Sequence, residues 1–351
     1  MNNMLSFVLK KMGYGVLVLV GVVIVVFFLF QGFGDPARLV LGQTGDSATL
    51  ANVRKELALD QPKWKQFTLY LNDVSPIGVA TKADIQQKNL HGLFVGGDLK
   101  LGIKVPYLRR SYQNRRPVMD ILLEALPGTM ILAFSAMIFA TIIGILLGVI
   151  SAVKQNTWMD SSAVFTSVLG ISAPSFFMGI VIAYVFGFLL HRYTGLFMTG
   201  SLYDYDVVSG KHLALKNLWL PALTLGIRPL AIIAQLTRSA MLDVLSKDYI
   251  RTAYAKGLPK KMVVWKHALP NALNPVATAI TGWFAELLAG SFFVEYIFGW
   301  KGIGKTTVDA LENLDFPVVM GSVLITATFF VIVNILSDLL YTVLDPRVKL
   351  H

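Results

Sequence analysis

The sequence predicts an all-α integral membrane protein with six transmembrane helices. Three observations carry that prediction. Apolar residues make up 55% of the 351-residue chain, and charged residues only 15%. Several stretches run about 18 residues or more without a charge, long enough for a helix to cross ~30 Å of hydrocarbon. The basic residues behind the net charge of +10 lie mostly between those stretches, not on one soluble face, which argues against nucleic acid as a partner. Cysteine is absent, so disulfides and thiol chemistry are excluded, and the five histidines show no metal-ligand spacing.

Uncharged length places the spans at roughly 12–31, 129–153, 162–190, 218–237, 273–298 and 318–344. The first follows Lys10 and Lys11 and is too long for a signal-peptide core, with no convincing cleavage site after it. The second carries Gly144 and Gly148, a GxxxG packing pattern. The third contains Pro174, which predicts a kink.

Orientation follows from Lys and Arg in the short loops. With the N-terminus cytoplasmic, the inner segments hold twelve such residues and the two short outer loops hold five. Both termini are then cytoplasmic, in a multi-pass protein of the cytoplasmic (inner) membrane in contact with lipid. Residues 1–31 form the N-terminal segment and first span, and 32–128 a long external loop. Residues 129–344 form a five-helix core with a cytoplasmic loop at 238–272, and 345–351 a cytoplasmic tail. In the long loop, Val53, Leu57, Trp64, Phe67 and Leu71 recur at helical spacing interrupted by Pro62, predicting small helices.

The stretch "DYIRTAYAKGLPKKMVVWKHALPNALNP", Asp248 to Pro275, is a basic hairpin between two strongly apolar segments. Ser246 is positioned to cap a first helix, on which Tyr249, Ile250, Ala253 and Tyr254 share one face. Gly257 suits the helix end and Pro259 the next first turn, with Met262, Val263 and Trp265 on the second helix's apolar side. Leu269–Pro270 is expected to end that helix. Spacing alone leaves two alternatives: a docking element, or an ordinary basic loop obeying topology.

This hairpin resembles the EAA loop of ABC-importer permeases, with Ala253, Gly257, Leu269 and Pro270 at the matching places. Arg251 and Thr252 replace the usual Glu-Ala and His267 the usual Ile, departures that resemble the dipeptide/oligopeptide/nickel branch. "GDPA", "LALDQP", "GGDLKLG", "LPGTMILA", "LTRSAMLDVLSKDYIRTAYAKG", "FFVEYIFGWKGIG", "DFPVVMGSVL" and "NILSDLLYTVLDPRVK" extend the likeness over nearly the whole chain. It is weakest over 74–93, which looks like an insertion, and Lys301 stands where the family usually has Pro.

The resemblance implies a type I ABC importer transmembrane domain carrying di- or oligopeptides, or another solute such as a nickel complex or glutathione. It implies that the hairpin, through Asp248, Tyr249, Ala253, Gly257, Leu258, Leu269 and Pro270, couples to the ATPases. The implied partners are a homologous second permease subunit, two cytoplasmic ABC ATPase subunits that use ATP and Mg, and an external solute-binding protein. The chain itself would bind no cofactor and catalyse nothing.

Two features test that reading. "GWKGIGKT", Gly299 to Thr306, matches the phosphate-loop string letter for letter. A phosphate loop needs a preceding strand, and here an apolar helix precedes, so no nucleotide role is expected for Lys305. Arg228 and Glu286 fall inside the fourth and fifth spans at similar depths. They either pair with each other or line the substrate path. Glu295 and Asp338 lie near helix ends, where capping or interfacial roles are expected. An ion-coupled secondary transporter would need internal repeats, and an intramembrane enzyme paired catalytic groups; neither pattern is visible.

Overall fold

The computed structural model describes residues 2–31, 54, 59–206 and 210–344. The expected cytoplasmic tail at 345–351, and Val53 and Leu57 of the expected loop helix, lie outside those residues. The chain divides into two compact units, one of Met1–Met12, Pro127–Lys305 and Phe329–His351, the other of Gly13–Leu126 and Thr306–Thr328.

Helix α1 (Asn2–Gln31) starts ten residues before the predicted span, because Lys10 and Lys11 are good helix formers and do not interrupt it. In the second unit it meets α2 (Lys63–Val74), where Phe27 packs on Phe67 at 5.2 Å and on Tyr70 at 5.7 Å between ring centroids. These residues join Val23, Leu108, Val118, Leu122, Val318 and Val319 in one apolar core. Phe67 and Leu71 face it as the helical spacing predicts, whereas Trp64 points into solvent.

The long loop also holds a sheet that the sequence reading did not include. Strands β1 (Ile77–Thr81), β2 (Gly92–Gly96) and β3 (Leu99–Lys104) pair antiparallel in the order β1-β3-β2. The 74–93 insertion supplies β1, the short helix α3 (Lys82–Gln87) and the start of β2. Helix α3 begins with a reciprocal capping box between Thr81 and Asp84. That network holds the Asp84 carboxyl below its ordinary range, chiefly through the Thr81 hydroxyl. One sheet face is anchored to α2: Asn72 bonds both the N–H and C=O of Val79, and Lys104 Nζ donates to the Asp73 carbonyl at 2.7 Å. Burial holds the Lys104 ammonium below its usual pKa. The other face carries Ile77, Val79, Leu93, Val95, Leu99, Leu101 and Ile103, all exposed.

The first unit is mostly helical, and its first long helix begins within the second. Helix α4 (Val118–Val153) begins eleven residues before the expected span and accommodates Pro127 within it. Helices α5 (Trp158–Ser172) and α6 (Ser175–Ile182), the latter continued by a π-helical stretch Ala183–Leu189, replace the kinked third span with a 111° bend. Pro174 lacks an N–H and forces Ala173 into an extended conformation (ψ 132°), which stops α5 outright. A two-stranded hairpin, β4 (Tyr203–Asp206) and β5 (Gly210–Leu213), precedes α7 (Trp219–Leu245). At Gly144 and Gly148 of α4 a side chain would collide with Ile233 and Thr237 of α7, so the GxxxG pattern is a helix-packing seam.

After α7 come α8 (Asp248–Ala255), α9 (Lys260–Met262) running through a π-helical stretch Val263–Ala268, and α10 (Leu269–Gly290). Helices α11 (Phe292–Ile297), α12 (Ile303–Glu312) and α13 (Phe316–Leu344) follow as the last elements among the described residues. Lys11 and Asp338 form a 2.8 Å ion pair in this unit. Among the described residues, Ser6–Leu29, Val118–Val153, Leu215–Leu245 and Phe316–Leu339 are long and apolar enough to cross a bilayer, and the bent pair α5–α6 makes a fifth. Helix α10 has the length but carries Asn, Thr and Glu side chains, so length and apolarity alone do not reach the expected six.

Candidate functional site

The hairpin is built by local chemistry. Ser246 is the C-cap of α7, not the N-cap of α8; its hydroxyl donates to the Asp243 carbonyl, and Lys247 occupies the N-cap position. Asp248 then lies in the first turn of α8, where the helix dipole favours a carboxylate. Helix α8 closes with Gly257 N–H bonding the Tyr254 carbonyl and Leu258 N–H the Ala253 carbonyl, a Schellman pair. Gly257 sits at φ +77° with no atom within 4 Å of where a Cβ would be. Backbone conformation, not space, therefore specifies glycine here.

The expected apolar face is split by packing. Ile250, Ala253, Val263, Val264, Ala268 and Leu269 are buried with Val149, Ala152, Met241 and Ala272, and Leu258 packs against them. Tyr249, Tyr254, Met262 and Trp265 stay exposed, each 41–45% accessible. Nor does Leu269–Pro270 end a helix: Pro270 falls in the first turn of α10, directly after the π-helical stretch. Proline cannot bond the carbonyl four residues back, and the wider π turn accommodates that lost bond.

The sequence reading missed the root of this hairpin. Asp160 on α5 takes two bonds from Arg238 on α7, at 2.7 and 2.8 Å, and also accepts from the Ser151 hydroxyl and the Asn156 N–H. The one sequence signal is an acid at the edge of an uncharged run, since Arg238 by itself reads as a basic loop residue.

A cavity of about 300 Å³ lies beside the α5–α6 break, against α7 and α10. Ser172, Ser175, Thr224, Arg228, Trp283 and Glu286 line it. Arg228 and Glu286 are thus brought to one cavity, yet no ion pair within 4 Å joins them among the described residues. The Arg228 guanidinium instead lies over the Trp283 ring, 5.5 Å from its centroid. Both charged residues are exposed. Helix α10 ends only four residues after Glu286, nearer its end than the 273–298 span implied.

The phosphate-loop string has a different occupant. A helix, α11, precedes it, and Ile303 opens α12. The amides at the start of α12 do receive an acidic group, but it is the side chain of the chain's own Glu295. Its carboxylate accepts from Thr129 at 2.7 Å, Ser291 at 2.8 Å and Lys305 N–H at 3.1 Å, with Gly304 N–H also bonded. Thr129 Oγ1 in turn accepts from Ile303 N–H at 2.8 Å. Gly302 has no room for a side chain because the Glu295 carboxylate and Thr129 Oγ1 fill the space. Glu295 is fully buried, and its expected capping role takes this form.

Comparison with known proteins adds an independent line. Residues 144–350 match the family "Binding-protein-dependent transport system inner membrane component", and residues 4–84 match "Binding-prot-dependent transport system membrane comp, N-term". The dipeptide transport system permease protein DppB of Alkalihalophilus pseudofirmus is 35% identical over 361 residues, covering 99% of this chain and 100% of that protein. DppB of Escherichia coli K12 is 36% identical over 369 residues, covering 99% of each. The glutathione transport system permease protein GsiC of the same strain is 35% identical over 348 residues, again covering 99% of each. A chain of the inward-facing MetNI methionine ABC transporter shares the fold, with TM-score 0.50 at 17% identity over 65% of this chain and 97% of that one. Membrane-length helices, a broken span and matches at both ends of the sequence converge: the chain belongs to the inner-membrane permease family of binding-protein-dependent ABC importers.

Proposed function

We propose that this chain is the transmembrane permease subunit of an importer that carries di- or oligopeptides inward, driven by ATP hydrolysis in partner subunits. The peptide assignment draws on relatives named as dipeptide permeases; equally similar relatives named for glutathione favour a second substrate of the same chemical kind. The assembly is a homologous second permease, two cytoplasmic ATPase subunits that bind ATP and Mg, and an external solute-binding protein. Both termini and the 238–272 loop are cytoplasmic, the 32–128 segment is external, and 129–344 forms the type I transmembrane core. Arg228 and Glu286 line the substrate path.

The observation that carries this reading is the hairpin: four exposed apolar side chains on a base locked into a buried cluster. Asp248, Tyr249, Ala253, Gly257, Leu258, Leu269 and Pro270 form that element. A rigid lever with a sticky face transmits motion between two bistable bodies. The test is Gly257→Val in the assembled transporter. A β-branched residue at φ +77° strains the turn by about 1–3 kcal/mol and re-aims the lever. Transport and substrate-stimulated ATP hydrolysis should fall together by about tenfold or more, the factor such strain implies, with insertion intact. Normal coupled hydrolysis in that variant would sink the assignment.

A further inference from the structure

We infer that Arg228 and Glu286 form a two-pole site for a small zwitterion, with the carboxylate of a di- or tripeptide at Arg228 and its ammonium at Glu286. This rests on the importer reading and adds to it the charge pattern and direction of the substrate.

Two opposite charges near one cavity ordinarily neutralise each other, because an unpaired charge away from water is costly. Here no ion pair within 4 Å joins them among the described residues. Arg228 is held on the face of Trp283, which fixes the guanidinium while leaving its N–H edges free for a planar carboxylate. Trp283 precedes Glu286 by three residues, about 4.5 Å along a helix, so both poles bear on one face of α10 within the cavity. The cavity volume of about 300 Å³ falls at the small end of ligand sites. Its remaining polar lining, Ser172, Ser175 and Thr224, is uncharged, so it discriminates little among peptide side chains. A simple anion or cation would satisfy one pole and leave the other unmatched. A zwitterion satisfies both.

The test is equilibrium binding of radiolabelled dialanine to the assembled transporter without its solute-binding protein, with N-acetyl-dialanine and dialanine amide as competitors. In the wild type each blocked peptide should compete about tenfold less well than dialanine, the weight of one charge-assisted contact. Arg228→Gln should weaken dialanine about tenfold and erase the penalty for amidation only. Glu286→Gln should erase the penalty for acetylation only. Equal competition by free and blocked peptides, or both penalties surviving in both variants, overturns the site. So does failure of either neutral variant to assemble, since the charges would then be holding the fold. ATP-dependent uptake by the wild type in proteoliposomes separates the two ideas. An inert wild type sinks the importer reading, whereas a working importer without these charge-specific losses sinks only the zwitterion site.

Discussion

Glu286 and Glu295 are nine residues apart, on consecutive helices of the same unit, and could hardly be treated more differently. Glu295 is sealed from solvent and its carboxylate is saturated by two hydroxyls and the amides of α12. Glu286 is exposed at the cavity wall, without an ion pair to the Arg228 that shares the cavity. A buried acid with every lone pair engaged is part of the scaffold, because any change strands several donors. An exposed acid without a partner contributes little to the scaffold and is free to meet something else. Charge inside a membrane protein therefore does not identify a transport residue by itself; the state of its partners does.

The largest expected effect is at Glu295. Replacing it with Ala leaves two hydroxyls and two amides facing a void, and should destabilise the protein by about 3 kcal/mol or more. Thermal unfolding of the purified chain in detergent checks this, with Glu295→Gln falling between it and the wild type. Asp160 comes next. Asp160→Ala strips Arg238 of its partner and should cost about 2 kcal/mol, whereas Asp160→Ala with Arg238→Met should recover much of that loss. Additive losses in the same melting experiment would show the pair to be incidental.

Glu286→Ala should move the melting transition by less than about 0.5 kcal/mol, as exposed substitutions do. A loss matching Glu295→Ala would erase the contrast between the two acids. The smallest effect is at Asp84, and its sign is fixed by the capping box. Its folded pKa is depressed, so the stability it contributes is present above the ordinary value of 3.8 and fades as pH falls through that value and below. Hydrogen exchange over 82–87 should show wild type better protected than Asp84→Asn at about pH 6, with the gap closing in acid.

How much was legible in the sequence depends on which forces act locally. Uncharged length gives four of the expected spans and, with the bent pair, a fifth, but not the sixth, and Gly257 and Pro259 announce the hairpin's turn because backbone conformation is a residue-level property. The segment before α4 mixes two periods, helical and strand. Phe67 and Leu71 point to a helix, whereas the period-two alternation of Leu99, Leu101 and Ile103 belongs to a strand. That face is apolar and exposed, the reverse of the usual outward polarity of a two-faced sheet. Pairings across long separations were invisible: Asp160 with Arg238, Ser111 and Tyr112 with Asp315, Thr129 with Glu295. The strings "LPGTMILA" and "FFVEYIFGWKGIG" carried the family likeness, and their residues meet in the Glu295 cluster.

The π-helical stretch Val263–Ala268 sets the angular phase of everything upstream of it. Each residue added to or removed from a helix rotates one flank against the other by about 100°, and a π turn stores one such extra residue. Between α9 and α10 it therefore works as a vernier: Met262 and Trp265 face outward while Val263 and Val264 turn into the cluster. Deleting one residue along with the π turn would keep the two flanks in phase, whereas rewinding this stretch as ordinary α-helix with no residue removed would swing Met262 about a quarter turn around the axis relative to α10. The same side chain would then point along a different bearing, with α10 and its cavity wall left in place.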